Sequence, residues 1–157
     1  MRRNSWKPYV YWILFTEMVG GLSGWLTREG TKLYPTMEMP PFSPPGILFP
    51  VVWTILFALM GIGAARIYLT PSSAARSKSL MLYLIQLTFD FFWSIIFFNF
   101  RSYGFALLWL LVLWILILRM ILTFAKVDKT AAVLQIPYLL WSAFAVYLNL
   151  GVWILNR

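Results

Sequence analysis

The 157-residue chain has no cysteine, no histidine and only five acidic residues. Without cysteine there is no disulfide and no thiol nucleophile; without histidine there is no imidazole base and no zinc site of the usual kind. Charge is scarce as well. Charged residues make up 11% and hydrophobic residues 61% of the chain, too little polar surface for a domain of this length to show to water. The expected solvent is a bilayer.

A helix needs about 20 apolar residues to cross the hydrocarbon core, and five runs approach that length, at about 9–26, 46–69, 80–98, 103–124 and 131–155. They are continuous and carry Leu, Ile, Phe and Trp on every face, whereas a strand barrel shows short alternating segments. The fold expected is therefore an all-α integral membrane protein. It is a bundle of five transmembrane helices forming one domain over 1–157, with a proline-rich first loop as the lid of a pocket. A cleaved secretory signal is the competing reading of 9–26, but Glu17 suits the inside of a bundle better than a signal core.

The net charge of +8 follows from orientation rather than from nucleic acid, which is not an expected partner. Arg2, Arg3, Lys7, Arg66, Arg76, Lys78, Arg119, Lys126 and Lys129 gather at one end of such a bundle. Arg28, Lys32, Arg101 and Arg157 fall at the other, with Glu29 and Glu38. The positive-inside rule then puts the N-terminus in the cytoplasm and the first loop outside, in what is expected to be a bacterial cell membrane.

That first loop, 27–45, carries Tyr34-Pro35 and Met39-Pro40-Pro41-Phe42-Ser43-Pro44-Pro45, which favours extended or polyproline geometry. Ser43 is placed to cap the second helix, with Pro44 and Pro45 in its first turn, where their missing N–H groups cost nothing. A stiff loop entering a helix that carries Trp53 reads as a roof over a pocket. On the third run Gln86, Asp90, Trp93 and Phe97 share one face, and on the fifth Tyr138, Trp141, Ser142, Ala145 and Asn149 do the same. Polar groups are costly against lipid, so both stripes should face inward, to bind a ligand or to bond neighbouring helices. Pro137 can open the fifth helix locally.

Glu17, Gly20, Gly21 and Gly24 occupy the first run, and the Gly20/Gly24 pair serves close packing or a homodimer contact. A charged carboxylate is expensive in hydrocarbon, and no Lys or Arg lies mid-span to pair Glu17 or Asp90. Nine Trp, eight Tyr and thirteen Phe exceed what interfacial belts need. Trp53, Trp93 and Trp141 lie well inside their runs, and an indole offers a stacking surface and one N–H donor to a flat conjugated guest such as a porphyrin.

Five blocks in order carry a family resemblance: Pro40 with Ser43-Pro44-Pro45; Pro50-Val51-Val52-Trp53 with Met60-Gly61; Gln86-Leu87 with Trp93 and Phe97-Phe98; Pro137-Tyr138 with Trp141; and Phe144-Ala145, Leu148-Asn149 and Trp153. They resemble the TspO/MBR family, the tryptophan-rich sensory proteins related to the mitochondrial translocator protein, or peripheral-type benzodiazepine receptor. The resemblance implies a pocket beneath the first loop that takes porphyrins, among them protoporphyrin IX, and isoquinoline carboxamide or benzodiazepine-type ligands. Its candidate lining is Tyr34, Pro44, Ile47, Trp53, Phe57, Gln86, Asp90, Trp93, Trp141 and Ala145. Some bacterial relatives degrade protoporphyrin in light, and for that chemistry Trp53 and Trp141 are the candidate catalytic residues. No cofactor and no metal site are expected; tetrapyrroles and membrane lipids are the expected partners. Departures from the family pattern are Asp90 where Asn is usual, Leu33 where Trp is frequent, and a sterol motif that fails because Tyr147 stands ten residues from Arg157.

Overall fold

The computed structural model describes residues 6–156, so Arg2, Arg3 and Arg157 of the charge argument lie outside the described residues. Every regular element is helical: α1 (Trp6–Leu26), α2 (Arg28–Thr31), a 3-10 turn at Tyr34–Thr36, α3 (Leu48–Tyr68), α4 (Ala74–Ser94), α5 (Tyr103–Ala125), α6 (Lys129–Leu134) and α7 (Ile136–Leu155). A π-helical turn at Ile95–Asn99 prolongs α4.

Four stretches among the described residues are long and apolar enough to cross a membrane: α3, α4 with its π turn, α5, and α6 with α7. The five-span expectation is met in length but not in hydropathy. At 21 residues α1 is as long as α3, yet Lys7, Glu17 and its Gly and Ser residues dilute its apolar run. The helix expected at 131–155 is two pieces. Pro137 lacks the N–H that would continue α6, so the chain restarts at Ile136. The Gln135 side chain fills the break, its Nε2 donating to Ala131 O at 3.4 Å and across to Leu59 O at 3.3 Å. Gly63 makes room, because a Cβ there would collide with that amide.

The first loop also differs from the extended reading. It coils into α2 and the 3-10 turn, which takes in Pro35, before the proline stretch at 40–45, and α3 starts at Leu48 behind an uncapped turn in which Leu48 N–H donates to Pro45 O at 3.0 Å. Ser43 therefore does not cap α3; its hydroxyl donates to Pro40 O at 2.7 Å. Pro50, not Pro44 or Pro45, occupies the first turn of α3, where the N–H groups lack helical acceptors anyway. Real caps are Ser73, accepting from Arg76 N–H at 3.1 Å, and Asp128, accepting from Ala131 N–H at 3.3 Å.

Neighbouring helices close a ring: α1 packs on α3, α3 on α6, α6 on α5, α5 on α4, and α4 back on α1. At one end Arg66 of α3 pairs with Asp128 at 2.6 Å, locking α3 to α6. Below mid-height the ring is solid. Met60, Ala64, Ile67, Tyr83, Ile117, Met120 and Phe124 are fully buried there, and the Thr16 and Tyr83 hydroxyls bond α1 to α4. Toward the other end α3 touches α7 only sparsely while α7 stays against α5. That divergence opens a cavity.

Candidate functional site

A space of about 630 Å³ lies between α1, α3, α4 and α7 beneath the first loop, a size within the usual range for small-molecule sites. Of the ten residues expected to line it, Tyr34, Ile47, Trp53, Phe57, Asp90, Trp93, Trp141 and Ala145 do so. Pro44 and Gln86 do not. Pro44 stands behind the wall, its carbonyl accepting from Tyr34 Oη at 2.7 Å. Gln86 is wholly buried one helical turn below Asp90.

Each wall follows from local helix geometry. On α3, Phe49, Trp53 and Phe57 recur every four residues and so share a face. The Trp53 and Phe57 rings lie 5.4 Å apart. Phe49 links the loop to α7, with Tyr34 at 5.2 Å on one side and Trp141 at 5.9 Å on the other. It was not among the expected lining residues, although its spacing to Trp53 was available as a signal. On α4 the π turn shifts the register by one residue, which lets both Phe97 and Phe98 join Trp93 at the wall.

The α1 wall, also outside the expected set, is Glu17, Val19, Gly20, Gly21, Ser23 and Gly24. Gly20 allows Phe57 to press against α1, since a Cβ at Gly20 would fall on the Phe57 ring; Gly21 and Gly24 have nothing within 4 Å of that position. Gly20 of the Gly20/Gly24 pair thus packs inside this chain, whereas Gly24 meets no neighbour there.

The indoles are not equivalent. Trp93 Nε1 donates to Asn149 Oδ1 at 3.1 Å, and Asn149 Nδ2 donates to Tyr103 O at 2.9 Å, so Trp93 is fixed as wall. Neither Trp53 nor Trp141 spends its N–H on a hydrogen-bond acceptor among the described residues. Beneath Trp53 lies Tyr138, ring centroids 6.1 Å apart, and its Oη bridges Gln86 Oε1 at 2.7 Å and Asp90 Oδ2 at 2.6 Å. The chemistry on offer is an aromatic slot with two unused indole donors and an acidic floor.

The loop above is fastened mainly to α7. Glu38 N–H donates to Asn156 Oδ1 at 3.1 Å and Asn156 Nδ2 donates back to Glu38 O at 2.7 Å. Tyr147 Oη donates to Pro41 O, and Pro40 packs where a Cβ on Gly151 would be. Phe42 takes a left-handed conformation at φ 68° and is 90% exposed, a strained backbone in a non-glycine residue that these ties hold in place.

The sequence model of the TspO/MBR family matches residues 12–154. The chain is 40% identical over 135 residues to the tryptophan-rich protein TspO of Chlorobaculum tepidum, covering 82% of each chain. It is 34% identical to the translocator protein of Bos taurus, covering 94% of this chain and 89% of that one. With a tryptophan-rich sensory protein of Cereibacter sphaeroides it shares 32% over 92% of each.

Proposed function

The chain belongs to the TspO/MBR family, and on that premise we propose that it is a membrane receptor or sensor whose cavity binds tetrapyrroles such as protoporphyrin IX. The same walls suit isoquinoline carboxamide and benzodiazepine-type ligands. In this reading α1 is a fifth span, the proline loop is the lid, the N-terminus is cytoplasmic and the membrane is that of a bacterial cell.

One observation carries the proposal: Trp53 and Trp141 come from separate helices to a single cavity, each with its N–H unspent. Paired indoles supply stacking area and two donors at little entropic cost, because each has only two side-chain torsions to fix. Tyr34, bonded to Pro44, and Phe49 above them would complete the enclosure.

Titration with protoporphyrin IX should quench tryptophan fluorescence and saturate at one molecule per chain. A protein with Trp53→Phe and Trp141→Phe should bind about tenfold more weakly or worse, as loss of central aromatic anchors does. Quenching that never saturates, or that is unchanged in the double variant, refutes the assignment.

A second reading, light-dependent porphyrin degradation, is favoured by the oxidisable Tyr138 ring 6.1 Å from Trp53, its hydroxyl bonded to Asp90. Illumination in air, with dioxygen as the oxidant that opens the ring, should then yield a bilin-like absorbance that disappears in either Trp variant. Transport is a third reading, suggested by the name of the bovine relative, and uptake by proteoliposomes would separate it from binding alone.

A further inference from the structure

The polar groups of the cavity are one-sided. Its lining includes two carboxylates, Glu17 and Asp90, and neither Lys nor Arg. Asp90 is only 6% exposed; its Oδ2 is bonded to Tyr138, and its Oδ1 has no hydrogen-bond partner among the described residues. Glu17 makes no ion pair or hydrogen bond through its carboxylate among those residues.

Most of the lining hydroxyls do not redress the balance; Ser94, whose hydroxyl has no hydrogen-bond partner among the described residues, is the exception. Ser23 donates to Phe91 O, Thr27 to Ser23 O, Thr31 to Arg28 O and Thr54 to Pro50 O. Each therefore spends its proton on backbone and offers a guest only lone pairs. Trp53 and Trp141 are the indole donors left. The nearest basic residues in the chain follow Thr27 and Thr31: Arg28, set over the Trp25 ring, and Lys32, paired with Glu29.

We propose that this cavity selects flat aromatic guests by charge. It takes those that bring an N–H or cationic nitrogen to Asp90 and Glu17, and it leaves anionic groups at the mouth toward Arg28 and Lys32. The inference rests on the cavity being a ligand pocket and adds the polarity of what enters. An anion driven to the floor would lie beside a buried carboxylate with no counter-ion, and in a poorly screened site like charges cost heavily. A cation there supplies the counter-charge that lets a buried carboxyl carry its own charge. A tetrapyrrole fits with its pyrrole N–H edge inward and its propionates outward.

The test uses the full chain in phosphocholine nanodiscs, with empty discs subtracted, and three probes on one ring system: cationic 9-aminoacridine, neutral acridine and anionic acridine-9-carboxylate. The amine should bind about tenfold tighter than the carboxylate, with acridine between them. The net charge of +8 pulls the opposite way, so this order cannot come from the overall field. Replacing Glu17→Gln with Asp90→Asn should shrink the gap to about threefold or less, while Glu38→Gln, a carboxylate outside the cavity lining, should leave it intact. Asp90→Asn alone keeps an acceptor for Tyr138 and guards against loss of folding. Equal or reversed affinities in the unaltered protein overturn the charge selection while the pocket stands, as does an order that survives the double change. Saturable binding by none of the three overturns the pocket itself.

Discussion

Replacing Gly20 and Gly21 one at a time by Ala separates two effects that the sequence alone cannot distinguish. Both glycines lie inside α1, and helix propensity credits either change with about 0.5–1 kcal/mol of stabilisation. Space treats them differently. A Cβ at Gly21 meets nothing within 4 Å, whereas one at Gly20 lands on the Phe57 ring, which is 8% exposed and lies 5.4 Å from Trp53. Overpacking of this kind costs about 1–3 kcal/mol. Because the propensity gain is common to both, the gap between the two variants is that cost. At roughly 2–4 °C per kcal/mol for a chain of this size, Gly20→Ala should melt about 2–12 °C below Gly21→Ala in matched detergent. The relief available to Phe57 is toward the open cavity, so Gly20→Ala should also weaken protoporphyrin quenching while Gly21→Ala leaves it near normal. Equal melting temperatures, with equal binding, would show that Gly20 is not where α1 seats the aromatic wall.

Two further outcomes follow from single hydroxyls. Tyr138→Phe removes the hydroxyl between Gln86 and Asp90 and leaves a buried polar group without its partner, which should cost about 1–3 kcal/mol by thermal unfolding; a variant as stable as the unaltered protein would mean the bridge contributes nothing. Tyr34→Phe loses the bond to Pro44 O, worth about 1 kcal/mol, and stopped-flow release of bound porphyrin should quicken about fivefold. Burial raises the Tyr34 phenol above its ordinary pKa of 10.0. The folded state therefore keeps its proton to higher pH than the unfolded one. The stability tied to that proton is complete below about pH 10 and is lost as pH climbs through the folded value, and Tyr34→Phe should remove that share of the alkaline decline.

Periodicity carried much of this fold. Long continuous runs marked α3, α4, α5 and α7, and spacing placed Trp53, Asp90, Trp93, Trp141 and Ala145 on faces that do meet at one cavity. What periodicity missed depends on partners far along the chain. Nothing local shows that Asn156 will bond Glu38, or that Gly151 will receive Pro40. Ser43 looked like a cap because a hydroxyl just before Pro-Pro and an apolar run has that pattern, yet the helix begins five residues later. Gln86 and Asp90 share a stripe, but a stripe does not say how deep the cavity runs; Tyr138 ends it between them, leaving Asp90 at the wall and Gln86 below. The glycine wall of α1 was visible only as a packing motif, since an absent side chain reads the same whether it admits a neighbour or leaves a void.

Why the void persists is a matter of where the bundle is tight. At the basic end Arg66–Asp128, Gly63 and Gln135 hold α3 against α6, and beyond the break before Pro137 α7 follows α5 instead, so α3 and α7 must part. If the resulting 630 Å³ were dry and apolar, a cavity cost of about 24 cal/mol per Å³ would come to on the order of 15 kcal/mol, as much as the whole net stability of a typical domain. The space must therefore be filled in the resting state. Acidic and hydroxyl lone pairs on its walls suit water, and its apolar faces suit an acyl chain. On the proposed function, a flat aromatic guest would displace either one and gain the aromatic area of Trp53 and Trp141.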